Sequence, residues 1–344
     1  ILQRMRIAQR LTLITVAFVG PIAVMTALIL KTVNKDISFA RQELLGVTYQ
    51  QALHDLLDSL GARALALQAG AGSDVDRETA RVDSAFAALM SVQQASGEAL
   101  QFTAEGLAAR QRDHVRPDAV MAEWTQVKQT TDSAVATERA LHLLADLRTM
   151  LGHVGDTSNL ILDPDLDSYY TMDAVLVALP QTQDRLVQLA AAIDGSDRTP
   201  PAELAQRLAI MAAFLKESDG DRIAADFQTA LNEDSHFNGI EPTLAPSVTP
   251  ALKSYTDANG ALLQALAAAG RPDDRAAGRS APQLCRGDDC PRGGVHHQPQ
   301  YHRSAGDDDL RAARRRRGPG GGVRAGVGLG PVAVAGSDRP GRLA

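Results

Sequence analysis

Three aspartates, Asp163, Asp165 and Asp167, occupy alternate positions in the most distinctive stretch of the chain, DTSNLILDPDLDSYYTMD (residues 156–173). Their spacing matches the first three ligands of an EF-hand calcium loop, which also needs Gly at its sixth position and Glu at its twelfth. Ser168 and Ala174 stand there instead, so the aspartates do not make that loop. A helix break explains them more simply: Asp163-Pro164 ends one helix, and Asp165 or Asp167 caps the next. Polar residues cluster around the break, and Asn159, Tyr169, Tyr170, Asp173 and Arg185 are the candidate ligand-binding residues. An arginine flanked by tyrosines can clasp a carboxylate, which makes a small organic acid the expected ligand class. The same two tyrosines can equally pack in a core with satisfied hydroxyls. No P-loop, dinucleotide-binding glycine pattern, GxSxG or HExxH occurs. The body of the chain is therefore expected to be neither an enzyme nor a carrier of a metal or cofactor.

Residues 11–30, LTLITVAFVGPIAVMTALIL, determine where these groups are held. The run has no charge and supplies the about 20 apolar residues that a bilayer-crossing helix needs. A signal peptide has a shorter apolar region, about 7–15 residues, and a small-residue cleavage site that is missing here. Pro21 is tolerated in such a helix. Arg4, Arg6 and Arg10 precede it with no acid among them, so residues 1–10 are expected to stay cytoplasmic. Residues 31–270 would then lie outside the inner membrane, on the periplasmic side.

The remainder reads as helix. Ile37, Ala40, Leu44 and Val47 recur at intervals of three and four, and Leu53, Leu56, Leu57, Leu60, Ala64 and Leu67 extend the stripe to a turn at Gly70. Further helices are expected over residues 76–96, from Pro117 to Met150 or beyond, around Pro180 with a kink or boundary there, and over 202–216, 222–234 and 251–269. Asp219 to Asp221 read as a turn, and Pro242, Pro246 and Pro250 as a broken stretch. No segment alternates with period two. The expected fold is all-α: a membrane-anchored, elongated helical bundle of one or two stacked four-helix modules. The aromatic content of 4% suits helices packed through small side chains, and a net charge of −6 gives no sign of a nucleic-acid partner.

The stretch SNLILDPDLDSYYTMDAVLVALP resembles a segment of the extracytoplasmic helical domains of bacterial chemoreceptors and related membrane sensors. KDISFARQELLGVTYQQALHDLL, just after the apolar run, resembles the first helix of the same domains. The resemblance spans about residues 1–270. It implies a transmembrane sensory receptor that detects a small extracellular ligand for chemotaxis or other signal transduction, with the lipid bilayer and a second copy of the chain as partners. It equally fits the input region of a sensor histidine kinase or a diguanylate cyclase. From another class comes a membrane-tethered helical scaffold with no ligand.

From Arg271 the composition changes: no Lys, Glu, Ile, Phe, Met, Asn, Thr or Trp follows. Glycine, proline and arginine predict disorder for residues 271–344, including the run Arg314 to Arg317. Cys285, Cys290, His296, His297 and His302 lie close together but without zinc-finger spacing. GC-rich codons for HHQPQYHRSAGDDDL, read one base later, give ITSRSITGPLATMT, which resembles the start of a HAMP linker. This tail is expected to be an out-of-frame product that replaces a second membrane span and an output module.

Overall fold

The computed structural model describes residues 7–237 and 239–269. Among them every regular element is helical and no strand occurs. The expected tail, with its cysteine–histidine cluster and arginine run, lies outside the described residues.

The first helix, α1 (Ile7–Gln68), runs for 62 residues without interruption, roughly 93 Å at 1.5 Å per residue. No glycine or capping residue between Lys31 and Ile37 stops it, and Pro21 lies within it. Its first half is apolar all round: Leu11, Phe18, Val19, Ile22, Met25 and Ile29 are all exposed. By length and composition this helix can cross a membrane. Beyond Ala40 the pattern narrows to one stripe, and Tyr49, Leu53, Leu56, Leu57 and Leu60 are fully buried. One helix is thus a lone apolar cylinder at one end and the centre of a core at the other.

The return strokes pack on that stripe. Helix α2 (Gly72–Ser96) runs antiparallel to α1, with Arg81 3.1 Å from Asp58 and the Tyr49 hydroxyl donating to Gln93 at 2.8 Å. The short α3 (Ala104–Ala108) starts at Thr103, whose hydroxyl accepts the Gly106 N–H. Helices α4 (Pro117–Gln129) and α5 (Ser133–Ser158) replace the single helix expected from Pro117 onward. The chain goes extended at Thr130 and Asp132, and the Asp132 carboxylate caps α5 by accepting from the N–H groups of Ala134 and Val135. Phe86, Leu89, Trp124, Leu143, Leu147 and Met150 join the α1 stripe in the largest core. Helices α1 and α5 approach closely at Gly46, where a Cβ would lie 2.2 Å from the Cβ of Ser158.

Helix α5 ends at Ser158, earlier than the expected break at Asp163-Pro164, because Asn159 adopts the left-handed conformation (φ 67°) that asparagine tolerates. Asp165 precedes α6 (Leu166–Asp173), as expected for a cap, but its side chain makes no capping bond. Pro180 stands in the first turn of α7, at the boundary expected there, but the chain stays helical across it. Helix α6 passes through a π turn (Ala174–Ala178) into α7 (Leu179–Asp194), with the Leu179 N–H reaching back to the Ala174 carbonyl. The wider turn precedes Pro180, whose ring would crowd the carbonyl of an ordinary preceding turn.

Nor does Asp219 to Asp221 form a turn: α8 (Pro201–Ala213) continues through a second π segment (Phe214–Asp221) into α9 (Arg222–Glu233). Gly220 makes this possible, since a Cβ there would meet Asn259 at 2.1 Å. The Asn259 amide donates to the Leu215 carbonyl at 3.2 Å. Helix α10 (Leu244–Ala269) begins earlier than expected and contains Pro250. Pro246 falls in its first turn, where no N–H is needed, and Pro250 removes a single bond. Two smaller clusters hold this half together: Leu189, Leu204, Leu208, Leu215 and Leu266 in one, Leu244 and Val248 with Phe227 and Leu231 in the other. These contacts make α6–α7 ascend from the Gly46 level, α8–α9 descend and α10 ascend again.

Candidate functional site

Where α6 and α7 meet the second π segment and α9, ion pairs replace apolar packing. Asp219, fully buried at the second π turn, takes its hydrogen bond from Arg185 on α7. The Arg185 guanidinium also lies 4.8 Å above the Phe214 ring. Three residues past Asp219, Arg222 makes two hydrogen bonds to Asp173 at 2.9 and 2.6 Å and sits 3.9 Å from Asp226. Arg148 on α5 reaches Asp184 at 2.5 Å, and Gln188 donates to the other oxygen of that carboxylate. The Tyr255 hydroxyl is buried beside Thr182 and Asp219, and burial pushes it up to about 12. Helices α5, α6, α7, α9 and α10 all contribute to one network.

Of the expected site residues, Asp173 and Arg185 are in this network, each neutralised by a partner of opposite charge from the α8–α9 run. Tyr169 and Tyr170 pack edge to face with ring centroids 5.4 Å apart. Tyr169, 39% exposed, lies at the open side of the network and acts electrostatically on Arg222. Asn159 serves as the left-handed end of α5. Sequence reasoning missed Arg222, Asp219 and Asp226, whose one visible signal was an aspartate-rich segment that looked like a turn. A separate open cavity of about 220 Å³ lies between α2 and α4, lined by Met90, Gln93, Phe102 and Arg116 among others. It contains none of the expected residues and is smaller than the usual ligand pocket of about 300–1,000 Å³.

The electrostatics are unbalanced toward acid. Asp226 is buried and faces Asp173, and both effects raise its pKa, to about 7, although Arg222 opposes them. Burial raises Asp219 too, against the pull of Arg185. Nearer the base of α1, Glu43 is 1% exposed, one of its oxygens has no hydrogen-bond partner, and burial with Asp163 and Asp165 pushes it up to about 8. On α1 itself, burial lowers His54 to about 4, against the opposing effect of a hydrogen bond to the backbone of Val175. That contact joins α1 directly to the first π turn.

These groups set a pH dependence of stability. Between the ordinary carboxylate range and the raised values, the folded protein keeps protons that the unfolded chain has released, so stability falls as pH rises. His54 acts oppositely below about 6.5, its unfolded value, and is silent above it. From about pH 6.5 to 8 the raised Glu43 and Asp226 set the slope, and the melting temperature is expected to fall through this window. Glu43→Gln and Asp226→Asn should each flatten that fall and raise the melting temperature at pH 8. Thermal unfolding followed by circular dichroism from pH 5 to 9 checks this, and an unchanged slope in both variants contradicts it.

Comparison with protein-family models, curated proteins and solved structures yields no match.

Proposed function

We propose that this chain is the sensing region of a membrane-anchored receptor that detects a small ligand outside the cell. One observation carries the reading: the helix that buries Tyr49, Leu53 and Leu57 in the core is the same unbroken helix that exposes Phe18, Ile22 and Ile29. An exposed apolar cylinder in water is unfavourable by about 25 cal/mol per Å², and a bilayer removes that penalty. A continuous helix transmits axial displacement or rotation, which a flexible linker does not. The bundle then stands as an elongated domain on the periplasmic side of the inner membrane, and the chain functions as a homodimer.

The ionic network is the responding element, because His54 ties it to α1 and because Arg222 and Tyr169 are its solvent-facing members. A small organic acid that bonds Arg222 would release Asp173 and leave Asp226, whose pKa is already raised, to take up a proton. Thermal shift of the detergent-solubilised chain against mono- and dicarboxylates tests this. A ligand at 100 times its Kd adds about 2.7 kcal/mol of stability, and that shift should vanish in Arg222→Ala. The second reading, a ligand-free tethered scaffold, is favoured by the internal pairing of Arg185 and Asp173. It predicts no shift with any acid. Chemotaxis receptor, histidine kinase and diguanylate cyclase share this sensing role. DNA downstream in the shifted frame tells them apart, through a glutamate-rich coiled coil, a histidine-bearing dimerisation helix or a GGDEF-like motif respectively.

A further inference from the structure

On the far side of the α5 helix from the ionic network, Asp146 is buried to 5% exposure yet accepts no hydrogen bond among the described residues. Buried carboxylates are paired, hydrogen-bonded or bound to metal. The nearest positive or potentially positive groups are two imidazoles: His142 Nδ1 at 3.7 Å and His114 Nε2 at 3.9 Å. Both distances are too long for hydrogen bonds. His142 Nδ1 also lies 2.9 Å from Oε1 of Glu123 on α4. Ligand atoms of Glu123, His142 and Asp146 all fall within 4.8 Å of one another.

We propose that His142, Asp146 and Glu123, with His114 as fourth ligand, form a zinc site that fastens α4 and the turn at Asp113–Val115 to α5. The geometry fits. Nitrogen and oxygen ligands bind zinc at about 2.0–2.2 Å, so tetrahedral donors stand roughly 3.3–3.5 Å apart. The separations of 2.9 and 3.7 Å bracket that spacing, and His114 closes in with a rotation of an exposed ring. His142 and Asp146 are i and i+4 on one helix, which stacks them on a single face. Glu123 arrives from the antiparallel neighbour and His114 from the turn before it. Imidazole donors suit zinc over magnesium or calcium, which take oxygen. Site and sensing role are independent: neither requires the other.

The test is equilibrium dialysis of the chelator-stripped full chain against ZnCl2, with bound zinc counted by atomic absorption. One equivalent should be lost in His142→Ala, an exposed position whose replacement leaves the far-UV spectrum unchanged. Glu123→Gln should weaken that equivalent by about tenfold or more. Cys285→Ser with Cys290→Ser should retain it, which separates this site from thiol binding. Excess MgCl2 should not displace it. Zinc binding that is absent from the wild type, undiminished in His142→Ala, or displaced by magnesium overturns the proposal.

Discussion

Arg185→Ala is expected to destabilise the bundle by about 3–5 kcal/mol, the usual effect of removing one partner from a buried ion pair. Asp219 is 0% exposed, its second oxygen has no hydrogen-bond partner, and Arg185 is its sole side-chain donor among the described residues. Without the guanidinium, the carboxylate is left uncompensated in a site where burial already raises its pKa. It would then take up a proton, so the loss should shrink as pH falls toward 5. Apolar replacement of both partners, Arg185→Met with Asp219→Leu, should restore most of the stability. Urea unfolding at pH 5 and 8 measures all three effects. A guanidinium held free for a ligand would behave otherwise: its removal would abolish binding and leave the midpoint unmoved.

Trp124→Ala is expected to remove about 3–5 kcal/mol, as for other buried large aromatics. The indole is 2% exposed, stacks on Phe86 at 6.1 Å, and lies beneath Arg63 at 5.2 Å and Lys128 at 5.5 Å. Its N–H donates to Asp83 at 2.7 Å. Trp124→Phe keeps the stacking and much of the volume, so its loss should stay near the about 1–3 kcal/mol of an unmade hydrogen bond. Circular dichroism in denaturant reads both variants. Equal losses for Ala and Phe would show that the hydrogen bond, not the packing, dominates at this site.

The helical reading of the chain was legible because apolar residues at three- and four-residue intervals mark a buried face wherever a helix lies on a core. Residues 40–60 of α1 follow that rule closely. The errors share a cause. Gly220 and Pro250 punctuate most sequences, but here a π turn and the interior of α10 absorb them, and at Gly220 that depends on Asn259, which lies far away in the chain. The same holds for the site. Arg185 stood out as a polar residue near a helix break, but its partner Asp219 is 34 positions away, and helical periodicity carries no information about pairing between helices. The zinc ligands come from a turn and two helices, and their sequence positions match no finger pattern.

The most direct test of the central claim, that α1 passes through a bilayer and carries the bundle on its far side, is thiol labelling in oriented vesicles. Ala8→Cys and Ser38→Cys, each introduced with Cys285→Ser and Cys290→Ser, place single exposed thiols on either side of the apolar run. A membrane-impermeant maleimide should label Ala8→Cys in inside-out vesicles alone and Ser38→Cys in right-side-out vesicles alone. Labelling of both from the same face, or recovery of the protein in the soluble fraction, would contradict the account.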